Sequence, residues 1–283
     1  MKNLRIRTIS GIVFVGIMVG CLLGGKVPYA CLMLFLLISM LIEFYTLTLG
    51  PKQWPQKTIG ILAGACLWMA TFLLMDNAEP LLILSLLCAM FLLWMALLIQ
   101  QLYKKHDKPF ETVAYTLLGY IYIALPLTLM NLPAFIGRST TEYDGRLLLG
   151  LFIILWSSDV GAYAFGSLFG QHGRHRLFPS ISPKKTWEGF VGGLLIAALT
   201  AYILRLTGFF TCGLGHLWAI AALLTVFGMF GDLIESMLKR SAGVKDSGKL
   251  MPGHGGMLDR FDGALLAFPA ACLYIFVIDI CLI

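Results

Sequence analysis

Residues 80–99 read PLLILSLLCAMFLLWMALLI, a run from Pro80 to Ile99 without one charged side chain. An α-helix rises about 1.5 Å per residue, so this run spans roughly 30 Å, the thickness of a bilayer's hydrocarbon core. In lipid every backbone N–H and C=O must be paired within the protein, which a helix does alone. The stretch therefore reads as a transmembrane helix. Working outward, the same reading recurs at Thr8–Gly25, Pro28–Leu49 and Thr58–Met75 on one side. On the other it recurs at Phe110–Leu132, Leu147–Gly170, Trp187–Leu206, Leu217–Leu238 and Gly263–Ile283. Pro51 and Pro55, the Asp76–Pro80 turn, the Lys104–Pro109 cluster and Pro133 separate them, and the tightest boundary lies between Gly24 and Pro28. The expected fold class is an all-α polytopic membrane protein with about nine transmembrane helices.

Composition agrees. The chain is 59% hydrophobic and 13% charged, against about 45–50% and about 25% in soluble domains. That apolar content excludes disorder, and the 30 glycines show no collagen period. The 7 cysteines contain no CxxC pair and lie in or beside apolar segments, so packing explains them better than a disulfide or metal scaffold. In 283 residues nine spans leave no room for a large soluble domain.

The basic residues orient the bundle. With the N-terminus inside, all of the 21 Lys and Arg except Lys26, Arg138, Arg146 and Arg205 fall on cytoplasmic segments. This is the positive-inside bias, and it puts the N-terminus in the cytoplasm and the C-terminus outside. The net charge of +6 is thus mainly a topology signal, with substrate phosphates as a second use, and gives no argument for nucleic acid. Lys2, Arg5 and Arg7 before an apolar run resemble a signal peptide, and Met18-Val19-Gly20-Cys21 a poor lipobox. No A-x-A site follows, and a second hydrophobic span comes at once, so the segment reads as the first span.

The two halves differ. Spans one to four carry almost nothing polar except Glu43, read as structural, close enough to the cytoplasmic end to pair with Lys52 or Lys57. From span six onward acidic groups appear beside glycines: Asp159 before Gly161, Gly166 and Gly170, and Asp232 after Gly228 and Gly231. The glycines, with Gly189, Gly192 and Gly193, read as close helix packing. The acids need another reason, because ionisable groups within spans are costly and mark functional sites.

Asp232, Glu235, Ser236 and Lys239 follow i, i+3, i+4, i+7 spacing, one helix face nearing the cytoplasmic end. Such a stripe fits a wet cavity, with a closed ion-pair network as the plainer reading. The loop after it contains Gly253, His254, Gly255 and Gly256, whose backbone N–H groups fit an anion-binding nest. Asp259 and Asp262, one turn apart at a helix start, repel each other without a cation. With Asp232 they form an oxygen-ligand site suited to Mg²⁺. A second cluster, Ser182, Lys184, Lys185 and Thr186, precedes span seven. It suits phosphate, although cytoplasmic loops are lysine-rich anyway, and no Walker A pattern occurs.

At this point a family resemblance enters. Ser236-x-Leu238-Lys239-Arg240-x4-Lys245-Asp246-x-Gly248-x2-Met251-Pro252-x-His254-Gly255-Gly256-Met257-x-Asp259-Arg260-Phe261-Asp262 resembles the signature of the phosphatidate cytidylyltransferases, with Met251 a conservative departure. The likeness extends to Ser157–Tyr163, Ser182–Gly189 and Gly231–Ser236, so it covers about residues 150–265, while the first hundred match as a hydrophobic frame.

The resemblance implies transfer of a cytidylyl group from CTP to phosphatidate in the bilayer, giving CDP-diacylglycerol and pyrophosphate, dependent on Mg²⁺ with room for a second cation. It implies residues 1–105 as scaffold and dimer contact, residues 106–283 as the catalytic region, and a homodimer in a bacterial inner membrane with its site facing the cytoplasm. Asp232, Asp259 and Asp262 are expected at metal, with Lys239 beside them in catalysis. Asp159, Ser182, Lys184, Lys185, Thr186, Ser236, Arg240, Lys245, Gly253, His254, Gly255, Gly256 and Arg260 are expected at substrate. His254 reads equally as a structural hydrogen-bonding group. Rival readings are a CTP-dependent lipid kinase, a CDP-alcohol phosphotransferase and a transporter. The full signature speaks against the first. The continuation Ala264-Leu265-Leu266-Ala267-Phe268 after Gly263 speaks against the second, and the absence of an internal repeat against the third.

Overall fold

The computed structural model describes residues 2–103, 108–135, 143–170, 175–210, 212–253 and 255–278, without the side chains of 2–6 and 278. His254, Lys104 and Arg138, named above, lie outside the described residues. The first four helices are α1 (Lys2–Leu23), α2 (Lys26–Leu49), α3 (Trp54–Met75) and α4 (Pro80–Leu102). α1 and α2 are joined by two residues, of which Gly25 takes a left-handed φ of 107° that reverses the chain at once. α5 (Pro109–Gly119), α6 (Leu125–Leu129) and α7 (Asn131–Phe135) form the fifth span, and α8 (Arg146–Phe169) the sixth. Among the described residues eight helices are long and apolar enough to cross a membrane, and the apolar part of α1 is a shorter ninth. The protein is an all-α polytopic membrane protein.

The expected spans map one for one onto these helices, and α9 (Trp187–Leu206) has the expected bounds. Two segments differ. The fifth span is interrupted by a π-helical turn over Tyr120–Ala124, where the N–H of Leu125 reaches back five residues to the carbonyl of Tyr120. Pro126 is the cause: it has no N–H for the carbonyl four residues before it, and its ring crowds that turn. The last span begins earlier than expected, as α11 (Leu258–Phe261), and resumes after Asp262 and Gly263 as α12 (Ala264–Ile278).

A short antiparallel hairpin, β1 (Arg176–Phe178) and β2 (Ser182–Thr186), stands between α8 and α9. It pairs Arg176 with Thr186 and Phe178 with Ser182. α10 (Leu214–Ser241) has 28 residues, so it is about 42 Å long. That exceeds the roughly 30 Å hydrocarbon core, and its last turn, with Lys239 and Arg240, stands clear at one end.

The packing divides the helices by role. α2 is central: Leu36, Leu37, Met40 and Leu41 are each 0% exposed, and Trp68 of α3 stacks on Phe72 with ring centroids 5.3 Å apart. α4 is the opposite, with only Leu97 buried, as suits a helix against lipid. α8 and α9 approach most closely. A Cβ on Gly189 would come within 2.8 Å of the Ala162 carbonyl, and one on Gly192 would strike the Phe165 ring. The small-residue reading of these glycines holds. Within the core Asn131 is 1% exposed and fully used. It accepts from Tyr29 Oη at 2.8 Å and donates to Thr71 Oγ1 at 2.9 Å.

Candidate active site

Helices α8 and α10 end, and α9 and α11 begin, at the same end of the bundle, which is also where α2 ends. Alternating helix direction puts the 182–186 strand and the 242–257 loop side by side there. Between them lies a cavity of about 640 Å³, within the usual range of small-molecule sites. Polar groups line it: Asp159, Ser182, Lys184, Lys185, Thr186, Asp232, Asp259, Arg260 and Asp262. Apolar ones line it too, with Phe14 and Val15 of α1, Tyr163 of α8 and Phe190 of α9. A cavity lined by both charged and oily groups matches an amphiphile.

The carboxylates have distinct employments. Asp232, Glu235 and Asp262 each offer a ligand atom within 4.8 Å of the others. Asp232 is held on both sides. Its Oδ2 lies 2.6 Å from Lys185 Nζ, and its Oδ1 accepts from Ser236 Oγ at 3.3 Å. Lys185 also donates to the Met229 carbonyl at 3.1 Å, so the hairpin presses its lysine onto α10. Asp262 accepts the Gly263 N–H at 2.7 Å. Its turn fits against α10 only because residue 231 is glycine, since a Cβ there would strike the Asp262 carbonyl.

Asp259, expected beside Asp232 and Asp262, is engaged elsewhere. Its Oδ1 receives Lys239 Nζ at 2.7 Å, and its Oδ2 receives the N–H groups of Ser247 at 2.9 Å and Gly256 at 2.7 Å. Lys239 pairs on its other side with Glu235, whose side chain is 0% exposed. The stripe on α10 therefore serves both earlier readings: Asp232, steadied by Ser236, lines the cavity, while Glu235 and Lys239 close an ion-pair chain to Asp259.

The glycine loop also differs from the expected open nest. Gly253 and Gly255 do take positive φ, 77° and 88°. The N–H of Gly256, however, is used by Asp259, and those of Met257 and Leu258 by Glu43 at 2.9 and 2.8 Å. The protein's own carboxylates fill these donors. Glu43 thus does not pair with Lys52 or Lys57; Lys57 instead donates to Thr46 Oγ1 at 3.0 Å. Of the other expected contacts, Arg240 is exposed and donates to the Val244 carbonyl at 3.0 Å, and Lys245 is exposed outside the cavity. Thr186 lines the cavity and caps α9, accepting the Gly189 N–H at 3.1 Å.

Sequence reasoning did not single out Tyr122. The π turn brings its hydroxyl, buried and without a hydrogen-bond partner, within electrostatic reach of Glu235, Asp262 and Asp232. The proline four residues on, at 126, was the available sign of a distorted turn.

Comparison with known proteins agrees with this geometry. The chain matches the model of the cytidylyltransferase family over residues 5–278. It is 32% identical over 277 residues to the phosphatidate cytidylyltransferase of Bacillus subtilis strain 168, covering 95% of this chain and 96% of that protein. It is 39% identical over 166 residues to the phosphatidate cytidylyltransferase of Staphylococcus saprophyticus, and 37% to that of Staphylococcus aureus. Each of these two alignments covers 58% of this chain and spans 60% of the relative's length. A match over nearly the whole chain, with the site residues inside it, places the protein: it belongs to the cytidylyltransferase family.

Proposed function

We propose that the protein transfers the cytidylyl group of CTP to phosphatidate, giving CDP-diacylglycerol and pyrophosphate for phospholipid synthesis. The observation that carries this is the mixed lining of the cavity. Carboxylates, cations and apolar residues line it together, so a soluble polyphosphate and a membrane lipid can meet there.

The reaction is an in-line displacement. An anionic oxygen of the phosphatidate phosphate forms a bond to the α-phosphorus of CTP as the bond to the β-phosphate oxygen breaks. Pyrophosphate takes the electron pair. The attacking oxygen carries no proton that must be removed first, so the site needs no strong base. Catalysis then rests on positioning and on neutralising charge. Lys184 and Arg260 reach the cavity beside Lys185 and are assigned to phosphate, with Arg240, Lys245 and the glycine loop at its approach. Ser182 and Thr186 orient the headgroup, and Asp159 lines the cavity with them.

Asp232, Glu235 and Asp262 supply three oxygen donors at a spacing suited to a hard cation, and we assign Mg²⁺ to them. Bound there, Mg²⁺ supplies Lewis-acid stabilisation of phosphate oxygens. Lys185 fixes Asp232 for that task, and Lys239 fixes Asp259.

The excess of basic residues on the segments of this end supports a cytoplasmic site in a bacterial inner membrane. Residues 1–105 serve as scaffold, with α1 and α2 lending side chains to the catalytic region 106–283. The open face of α4 is assigned to a second copy in a homodimer.

The test supplies purified protein with CTP labelled at the α-phosphate, phosphatidate vesicles and Mg²⁺. Label entering the lipid supports the reading. Release of CDP with unlabelled lipid would mean a CTP-dependent kinase and would end it.

A further inference from the structure

Glu43 lies in the half of the chain outside the signature, on the deeply packed helix α2. Its neighbours Met40, Leu41, Phe44 and Tyr45 are each no more than 1% exposed, so the backbone that carries it is rigid. Its two oxygens accept three hydrogen bonds. One comes from Ser247 Oγ at 3.1 Å, and two from the N–H groups of Met257 and Leu258.

These two N–H groups open α11. A helix start leaves such donors unpaired unless a cap accepts them, and α11 has no side-chain cap of its own at Met257. Glu43 provides it from a helix 214 residues away in sequence. The loop is shaped to receive this carboxylate: a Cβ on Gly248 or Gly256 would collide with it. From the other side Asp259 takes the N–H groups of Ser247 and Gly256 and hands the contact on to Lys239. Glu43 itself does not line the cavity.

We propose that Glu43 is a positioning residue for the reaction: it clamps the 247–258 loop and the start of α11, and so sets Asp259, Lys239 and Asp262, without touching either substrate. This rests on the assignment of the site above. A carboxylate is needed because all three contacts are donors to it. The amide of glutamine would turn its own N–H₂ toward at least one of them. Misplacement of a site by about 1 Å costs up to about 100-fold in rate.

The experiment compares Glu43→Gln, Glu43→Asp, Ser247→Ala and Asp232→Asn in the full chain, with kcat expressed per folded molecule from size-exclusion chromatography. Hydrogen exchange is followed in the 246–260 segment. Glu43→Gln is expected to lower kcat about 10- to 100-fold. KM for phosphatidate should stay within about twofold, because the apolar lining from α1 and α8 is untouched, and the segment should exchange faster. Ser247→Ala, which keeps both backbone contacts, is expected to lose less than Glu43→Asp, which shortens the reach. If Glu43→Gln is not recovered folded, the ordering of the other two decides. A folded Glu43→Gln with near-normal kcat, or with unchanged exchange, overturns the inference, as does a harmless Glu43→Asp. An inactive Asp232→Asn beside a normal Glu43→Gln removes this inference alone, whereas an active Asp232→Asn removes the site assignment beneath it.

Discussion

Replacing Lys239 by methionine is the sharpest test of how the site holds together. Its ammonium group joins Glu235, 0% exposed, to Asp259, 5% exposed, and is itself 12% exposed. Lys239→Met leaves two buried carboxylates facing each other with no cation between them. Breaking a buried pair by removing one partner costs about 3–5 kcal/mol. Spread over a protein of this size class, that corresponds to a fall in Tm of roughly 6–20 °C. The double variant Lys239→Met with Glu235→Gln removes one charge of each sign, so the net charge of the group returns to that of the native triad. Asp259 keeps its two backbone donors. The double variant should therefore recover much of the lost stability, yet remain inactive because both Lys239 and the Glu235 oxygen donor are absent. The buried thiols of Cys212 and Cys272, 5% and 1% exposed, provide the readout, through a thiol-reactive dye during heating in detergent. A single variant melting within about 2 °C of the native protein would refute the buried-pair reasoning. So would a double variant less stable than the single one.

Two further outcomes separate roles that the sequence left together. Asp262→Asn should keep the native Tm but lower Mg²⁺-dependent turnover on the order of 100-fold or more, with weaker binding of Mn²⁺ by electron paramagnetic resonance. Asp259→Asn should instead lower stability by about 1–3 kcal/mol: its one carbonyl oxygen can still accept the Ser247 and Gly256 N–H groups, but its NH₂ then faces the Lys239 ammonium; an unchanged Tm would contradict that role. At the α8–α9 contact, Gly192→Val drives a side chain into the Phe165 ring, and overpacking of this kind costs about 1–3 kcal/mol. Its thermal unfolding checks the close approach, and a native Tm would show that the helices stand further apart.

Much of the architecture was legible because a membrane imposes simple rules. Length and apolar content located the helices, and proline and glycine located the turns. Lys185, Asp232, Asp259 and Asp262, chosen from residue type and spacing, do line one cavity, and so does Arg260, which the resemblance implied. What stayed hidden has identifiable causes. The β1–β2 hairpin carries Ser182-Pro183-Lys184-Lys185-Thr186, which has no apolar face to alternate, so period two leaves no trace. The π turn depends on how the fifth span accommodates Pro126 within the bundle. The partner of Glu43 lies more than 200 positions away, and no local pattern encodes it. Asp259 and Asp262 look equivalent at i, i+3, and only the packing of Lys239 and the loop gives them different work.

The cavity is not sealed where α1 and α8 line it. Val15 and Tyr163, which line it, are 42% and 79% exposed, so the apolar part of its lining is accessible from outside the bundle. A lipid substrate can thus present its headgroup while its chains remain in the bilayer, and it need never be lifted out. In the proposed reaction the two substrates then arrive from spaces of different dimension. CTP is counted as molecules per volume of water, phosphatidate as a fraction of the membrane's area. Diluting the membrane with inert lipid should slow the enzyme even when the total amount of phosphatidate is unchanged. Adding buffer to the same vesicles should act only through CTP and Mg²⁺.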